Sequence, residues 1–123
     1  MDPVSPRLGT PPVWDVVQVD FSVADRGEVR RRPALVIAVA HVHDDFSLLW
    51  LAMITRASAG IWPFDIPISG LESAGLLRPG VVRVSKVAAI DARLASRVGT
   101  LTDADRRSVA ATLRIVLGPV LTV

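Results

Sequence analysis

Two stretches of the chain, Ala34–Ala40 and Leu48–Ile54, carry only apolar side chains. Both are rich in Val, Ile and Leu, bounded by polar residues and too short for typical helices. They predict buried strands over 33–40 and 47–55. Upstream, WDVVQVDF (14–21) is rich in β-branched and aromatic residues and predicts a further strand. The polar SVADRGEVRRR (22–32) between them reads as a long loop. Downstream, AGIWPFDIPISG (59–70) holds two prolines inside an alternating pattern. Proline cannot donate to a ladder, so any strand there should be short or at an edge. LRPGVVRVSK (77–86) predicts a turn and a short strand, Val81–Ser85, and SRVGTL (96–101) another.

Only the last segment has helical periodicity. Thr102 suits an N-cap, and Asp103 and Asp105 lie in the first turn, where the helix dipole favours negative charge. Val109, Leu113, Val116 and Leu117 then form one apolar face, and Gly118-Pro119 is expected to stop the helix. Several short strands and one closing helix predict a mainly β (α+β) fold, a small antiparallel β barrel with the helix packed against it. Residues 1–12, with Pro3, Pro6, Pro11 and Pro12, read as a flexible N-terminal arm, and 13–123 as a single domain.

Composition narrows the classes. The mean hydropathy of +0.44 and 50% hydrophobic content describe a globular chain and not a disordered one. No apolar run approaches the roughly 18 residues of a membrane-spanning helix, and the start has no apolar core of a secretory signal. Without cysteine there is neither a disulfide framework nor a thiolate metal site. A cytoplasmic protein with no membrane association is expected. All but one of the 14 basic residues are arginine, Lys86 being the exception. That excess reflects either genome composition or phosphate recognition by planar guanidinium forks.

The candidate chemistry is sparse. His41 and His43, followed by Asp44 and Asp45, have no second ligand cluster to join, so they read as a polar hairpin loop and no metal or cofactor is expected. No Walker or Rossmann glycine loop and no nucleophile with a general base is present. Trp14, Trp50 and Trp62 could stack on bases, although aromatics in strands more often fill a core or an interface. The remaining candidate is Arg30-Arg31-Arg32-Pro33. Pro33 keeps Arg32 out of helical geometry, at the mouth of a strand. If 33–40 and 47–55 pair antiparallel, Arg32 and Thr55 fall at the same end of the hairpin. A guanidinium and a hydroxyl beside basic residues make a phosphate site.

At these residues the chain resembles the PemK/MazF family of toxin endoribonucleases. The matching blocks are WDVVQVDF, RRPALVIAVA, LLWLAMITRAS, FDIPIS, GLLRPGVVRVSKVAAID and RVGTLTDAD, in the family's order. The resemblance implies an SH3-like barrel, a homodimer, metal-independent cleavage of single-stranded RNA at short sequences, and a cognate antitoxin that occupies the RNA groove. It implies catalytic roles for Arg32, before the proline, and Thr55, ending the I-T motif. Arg30, Arg31, Arg56 and Glu28 are the expected RNA contacts around them. The chain departs from the family at Trp14, where a glycine usually precedes Asp15, in DRGEV, where a loop such as G-S-E-Q is common, and at Arg56. These departures keep two alternatives open: a non-catalytic barrel that binds a protein partner such as DNA gyrase, and an RNA-binding module without turnover.

Overall fold

The computed structural model describes residues 9–23 and 28–123. The predicted arm up to residue 8, and residues 24–27 of the predicted loop, lie outside them. The elements are β1 (Asp15–Val23), β2 (Glu28–His43), β3 (Phe46–Arg56), β4 (Asp65–Pro67), a single helical turn α1 (Leu71–Ala74), β5 (Gly80–Asp91), β6 (Ala95–Thr100) and α2 (Asp103–Leu121). The strands form one antiparallel sheet in the order β4-β5-β3-β2-β1-β6. The fold is mainly β with a C-terminal helix, as expected. The barrel is an incomplete one, since β4 and β6 remain as edges.

The sheet is buried on both sides, which explains the continuous apolar runs. One face gathers Val16, Leu35, Ala52, Ile54, Val82 and Val84 under α2, with Leu101 and Val109. The opposite face gathers Val17, Val19, Ala34, Val36, Leu49, Leu51 and Met53. Successive residues of β2 and β3 therefore alternate between two cores.

Three expectations need correction. The arginines Arg30, Arg31 and Arg32 lie in β2 and not in a loop, because β1 continues to Val23 and pairs with them through Phe21, Asp20 and Val19. The partner that makes them a strand is distant in pattern, being an apolar segment with its own register. Second, the segment after Ser85 continues β5 to Asp91: a register shift opposite Ala52 and Met53 lets one bent strand pair along most of β3. Third, α2 runs through Gly118-Pro119 to Leu121. In the last turn a proline deletes one hydrogen bond at most, and the Thr122 hydroxyl donates to the Gly118 carbonyl at 2.9 Å.

The helix start and the proline-bearing edge match their sequence signals. The Thr102 hydroxyl accepts from the Asp105 N–H, and β4, only three residues long, is an edge strand ending at Pro67. Buried Asp105 also accepts from the Ser69 hydroxyl at 2.7 Å and from the Gly70 N–H at 3.0 Å, tying the turn before α1 to α2. Burial pushes its carboxyl up, but the bonds from Gly70, Ser69 and Thr102 outweigh this and hold it below the usual carboxylate range. Trp14 has φ 80°, a left-handed conformation that costs a side chain about 1–2 kcal/mol. A glycine, which the resemblance leads one to expect before Asp15, would adopt this conformation without that cost.

Candidate active site

The register places the predicted pair. Val19 of β1 faces Arg32 of β2, and the β2–β3 ladder runs down to Ala34 opposite Met53 and stops there. Continued by two residues, the same register sets Arg32 across from Thr55. The ladder ends next to Pro33, which has no N–H to give. By alternation Arg32 shares a face with Ala34 and Val36, and Thr55 shares that same face with Met53 and Leu51. Thr55 is half-buried and opposite Val81 of β5, while Arg32 is exposed. Among the described residues no hydrogen bond or ion pair holds Arg32. The structure therefore brings Arg32 and Thr55 to one face, at the end of the ladder where β2 and β3 cease to pair.

The other predicted contacts divide between faces. Arg30, opposite Phe21, falls on the Arg32 side and is exposed. Arg31 falls on the opposite side, where its Nε donates to Asp20 Oδ1 at 3.1 Å in an exposed ion pair. Arg56 ends β3 opposite Gly80 and alternates away from Thr55. Glu28 is the first residue of β2, paired with Val23. His41 Nδ1 lies 2.7 Å from the Ser47 hydroxyl, next to a register shift between His41 and His43, so the two histidines do not line one regular strand face.

Sequence reasoning missed a third arginine on the Arg32–Thr55 face. Arg83 of β5 pairs with Met53 on one side and Asp65 of β4 on the other, one row from Thr55. It is buried, and its guanidinium grips Asp65 with two bonds, Nε to Oδ1 at 3.2 Å and Nη2 to Oδ2 at 3.0 Å. Nη2 also donates to the Gly60 carbonyl at 3.1 Å, and the guanidinium carbon lies 3.9 Å from the Trp62 ring centre. Asp65 accepts from the Trp62 N–H at 2.8 Å as well. The bonds from Arg83 first, then the Trp62 N–H, hold the Asp65 carboxyl below its usual range against the opposing effect of burial. GVVRVS gave little signal for this cluster, because Arg83 alternates with Val82 and Val84 as a solvent-facing residue of a strand would.

The sheet order and the sequence pattern have known counterparts. The sequence pattern of the PemK-like, MazF-like toxins of type II toxin-antitoxin systems matches residues 13–117. The chain belongs to that family. Similar solved structures include a MazE-MazF complex (Form-II) from Deinococcus radiodurans, at 21% identity and TM-score 0.63, covering 89% of this chain and 96% of that one. The Form-III MazE-MazF structure from the same organism matches at 18% identity and TM-score 0.65, over 89% and 97% of the two chains. The Mycobacterium tuberculosis toxin MazF-mt6 matches at 17% identity and TM-score 0.63, over 85% and 96%. These likenesses establish a MazF-like fold. Among curated proteins none matches the chain.

Proposed function

We propose that this toxin-family chain is a sequence-selective, metal-independent endoribonuclease acting on single-stranded RNA. The observation that carries the reading is Arg32 and Thr55 on one face where the β2–β3 ladder ends. In the proposed reaction the RNA 2′-oxygen attacks the adjacent phosphorus and the bond from phosphorus to the 5′-oxygen of the next nucleotide breaks. The 2′-hydroxyl loses its proton and the departing oxygen takes one up, giving a 2′,3′-cyclic phosphate and a 5′-hydroxyl. The nucleophile belongs to the substrate, so the protein supplies position and charge, and DNA is spared.

Arg32 suits the charge role, since a cation with no carboxylate partner among the described residues can receive the negative charge that grows on the phosphoryl oxygens. Its guanidinium parts with a proton too reluctantly to serve well as a base. The Thr55 hydroxyl donates to the same phosphate, and Arg30 steers the backbone from the Arg32 side. The family reading brings a cognate antitoxin, in line with the MazE-MazF complexes of similar fold, and a homodimer. Exposed Ile115, Leu117, Val120 and Leu121 on α2 support an apolar subunit contact. No helix among the described residues is long and apolar enough to cross a membrane, and a cytoplasmic location belongs to the same proposal.

The test is incubation of the purified protein with a long mixed-sequence RNA in the presence of EDTA. Discrete fragments with cyclic phosphate ends are expected, and they disappear in Arg32→Ala. Intact RNA across many sequences and salt conditions would overturn the nuclease reading in favour of a non-catalytic binder.

A further inference from the structure

We propose that Trp62 is a fixed stacking platform for an unpaired base of the bound RNA, beside the scissile phosphate. The inference rests on the nuclease reading and adds a specificity element to it. Three observations converge.

First, the loop between β3 and β4 displays apolar side chains to solvent. Ile61 is 86% exposed, Trp62 46% and Phe64 50%. A loop that only connected two strands would not need them.

Second, the display is held rigidly. The Asp65 N–H donates to the Trp62 carbonyl, closing a turn with Pro63 at its second position and Phe64 at its third with φ 68°. That is the pattern of a type II turn, whose third position favours glycine. A phenylalanine in a left-handed conformation, half-exposed, is strain kept with no gain in burial. Beneath the turn, Arg83 bonds Asp65 and Gly60 while its guanidinium covers one face of the indole. The ring plane is therefore set by a buried cation, and its exposed surface is left for another ring.

Third, the platform adjoins the site. Arg83 is the diagonal cross-strand neighbour of Thr55, a step of about 7 Å between Cβ atoms, on the face that also carries Arg32 and Arg30. A nucleotide whose phosphate meets Arg32 and Thr55 has a base to place, and a flat aromatic surface with no obligatory hydrogen bonds accepts one. Arg83 is in this scheme a positioning residue that acts through Trp62.

The experiment uses short 2′-O-methyl RNA oligonucleotides, which lack the nucleophile and are not cut, with an abasic site moved along the strand. Binding to the full-length protein is compared for wild type, Trp62→Leu and Trp62→Phe, each checked by its thermal melt. The wild type should lose affinity when one particular base is missing. Trp62→Leu should bind the intact strand about tenfold more weakly, and removing that base should then cost nothing further. Trp62→Phe, which keeps a ring, should retain most of the affinity. Equal abasic penalties in wild type and Trp62→Leu would overturn the platform while leaving the nuclease reading standing. So would a Trp62→Leu protein that melts normally and loses only its hold on the antitoxin. A wild type that neither binds nor cuts any RNA would remove both.

Discussion

Arg32 and Arg83 occupy neighbouring rows on one face of one sheet, yet they sit in opposite environments. Arg83 is buried, doubly bonded to Asp65 and stacked on Trp62. Arg32 is exposed, with no bond among the described residues to satisfy its guanidinium. The side chain is the same, so its role follows from whether a carboxylate has already claimed it. An arginine locked to a buried partner can shape a loop but has little charge to offer a ligand. One left open at the end of a ladder can meet a phosphate at the cost of contributing little to the fold.

The largest expected effect falls on the locked member. Arg83→Ala leaves the buried Asp65 carboxylate without its cation and with only the Trp62 N–H to satisfy it, a change that costs about 3–5 kcal/mol, measurable by urea unfolding. Replacing both partners, Arg83→Met with Asp65→Leu, should recover most of that loss, because a well-packed apolar pair is often as stable as a buried ion pair. If the double variant were no more stable than Arg83→Ala, the pair would not be the unit that holds the loop. Arg32→Ala should do the reverse: cleavage falls about 100- to 1000-fold with an unchanged melting temperature. Thr55→Ala should lose about tenfold or more, the worth of a hydrogen bond to a charged group. A large stability loss in Arg32→Ala would break the contrast between the two arginines.

Acid should act on the locked region and on the base of α2. Asp65 and Asp105 both have carboxyls held below their ordinary range in the folded chain. A depressed folded-state pKa contributes stability that is present above the unfolded value. That stability is lost as pH falls through the folded one. Stability should therefore hold down to about pH 4 and then decline, as measured by urea midpoints across pH. Asp65→Asn and Asp105→Asn should each be less stable near neutrality and show a shallower acid decline. An unchanged acid profile in both would mean that other carboxylates dominate it.

How far this contrast could be seen in the sequence differs for its two halves. The apolar runs around Arg32 and Thr55 name their strands directly, because burial on both faces removes polar residues from the pattern. From there the antiparallel register sets the pair at one end. That Arg30–Arg32 are themselves in a strand was hidden, since three arginines carry no apolar period and their order comes from β1, a separate segment. The Arg83 cluster was hidden for a related reason. Its partners, Gly60, Trp62 and Asp65, lie in and just before a three-residue strand, which the two prolines had marked only as short or at an edge, with no sign of what it would hold. The continuation of α2 past Pro119 was missed because Gly-Pro is an ordinary stop signal, whereas here the helix runs on to Leu121.

The finest division is between Arg30 and Arg31, adjacent in the chain and assigned to opposite faces by the β1–β2 register. Arg31 is 70% exposed at its side chain and spans the surface to Asp20. Exposed pairs of this kind contribute about 0–1 kcal/mol, so Arg31→Ala should leave stability nearly unchanged. Since it points away from Arg32 and Thr55, cleavage should stay within about twofold of wild type at low salt. Arg30→Ala removes a cation from the Arg32 side, so RNA binding should weaken for every sequence alike. The slope of log affinity against log salt should fall by about one. Measuring both slopes on the same uncut oligonucleotide decides the matter. Equal losses in the two variants would mean that the RNA wraps both faces of β2, and the open-face assignment for Arg32 would have to be redrawn around a strand edge.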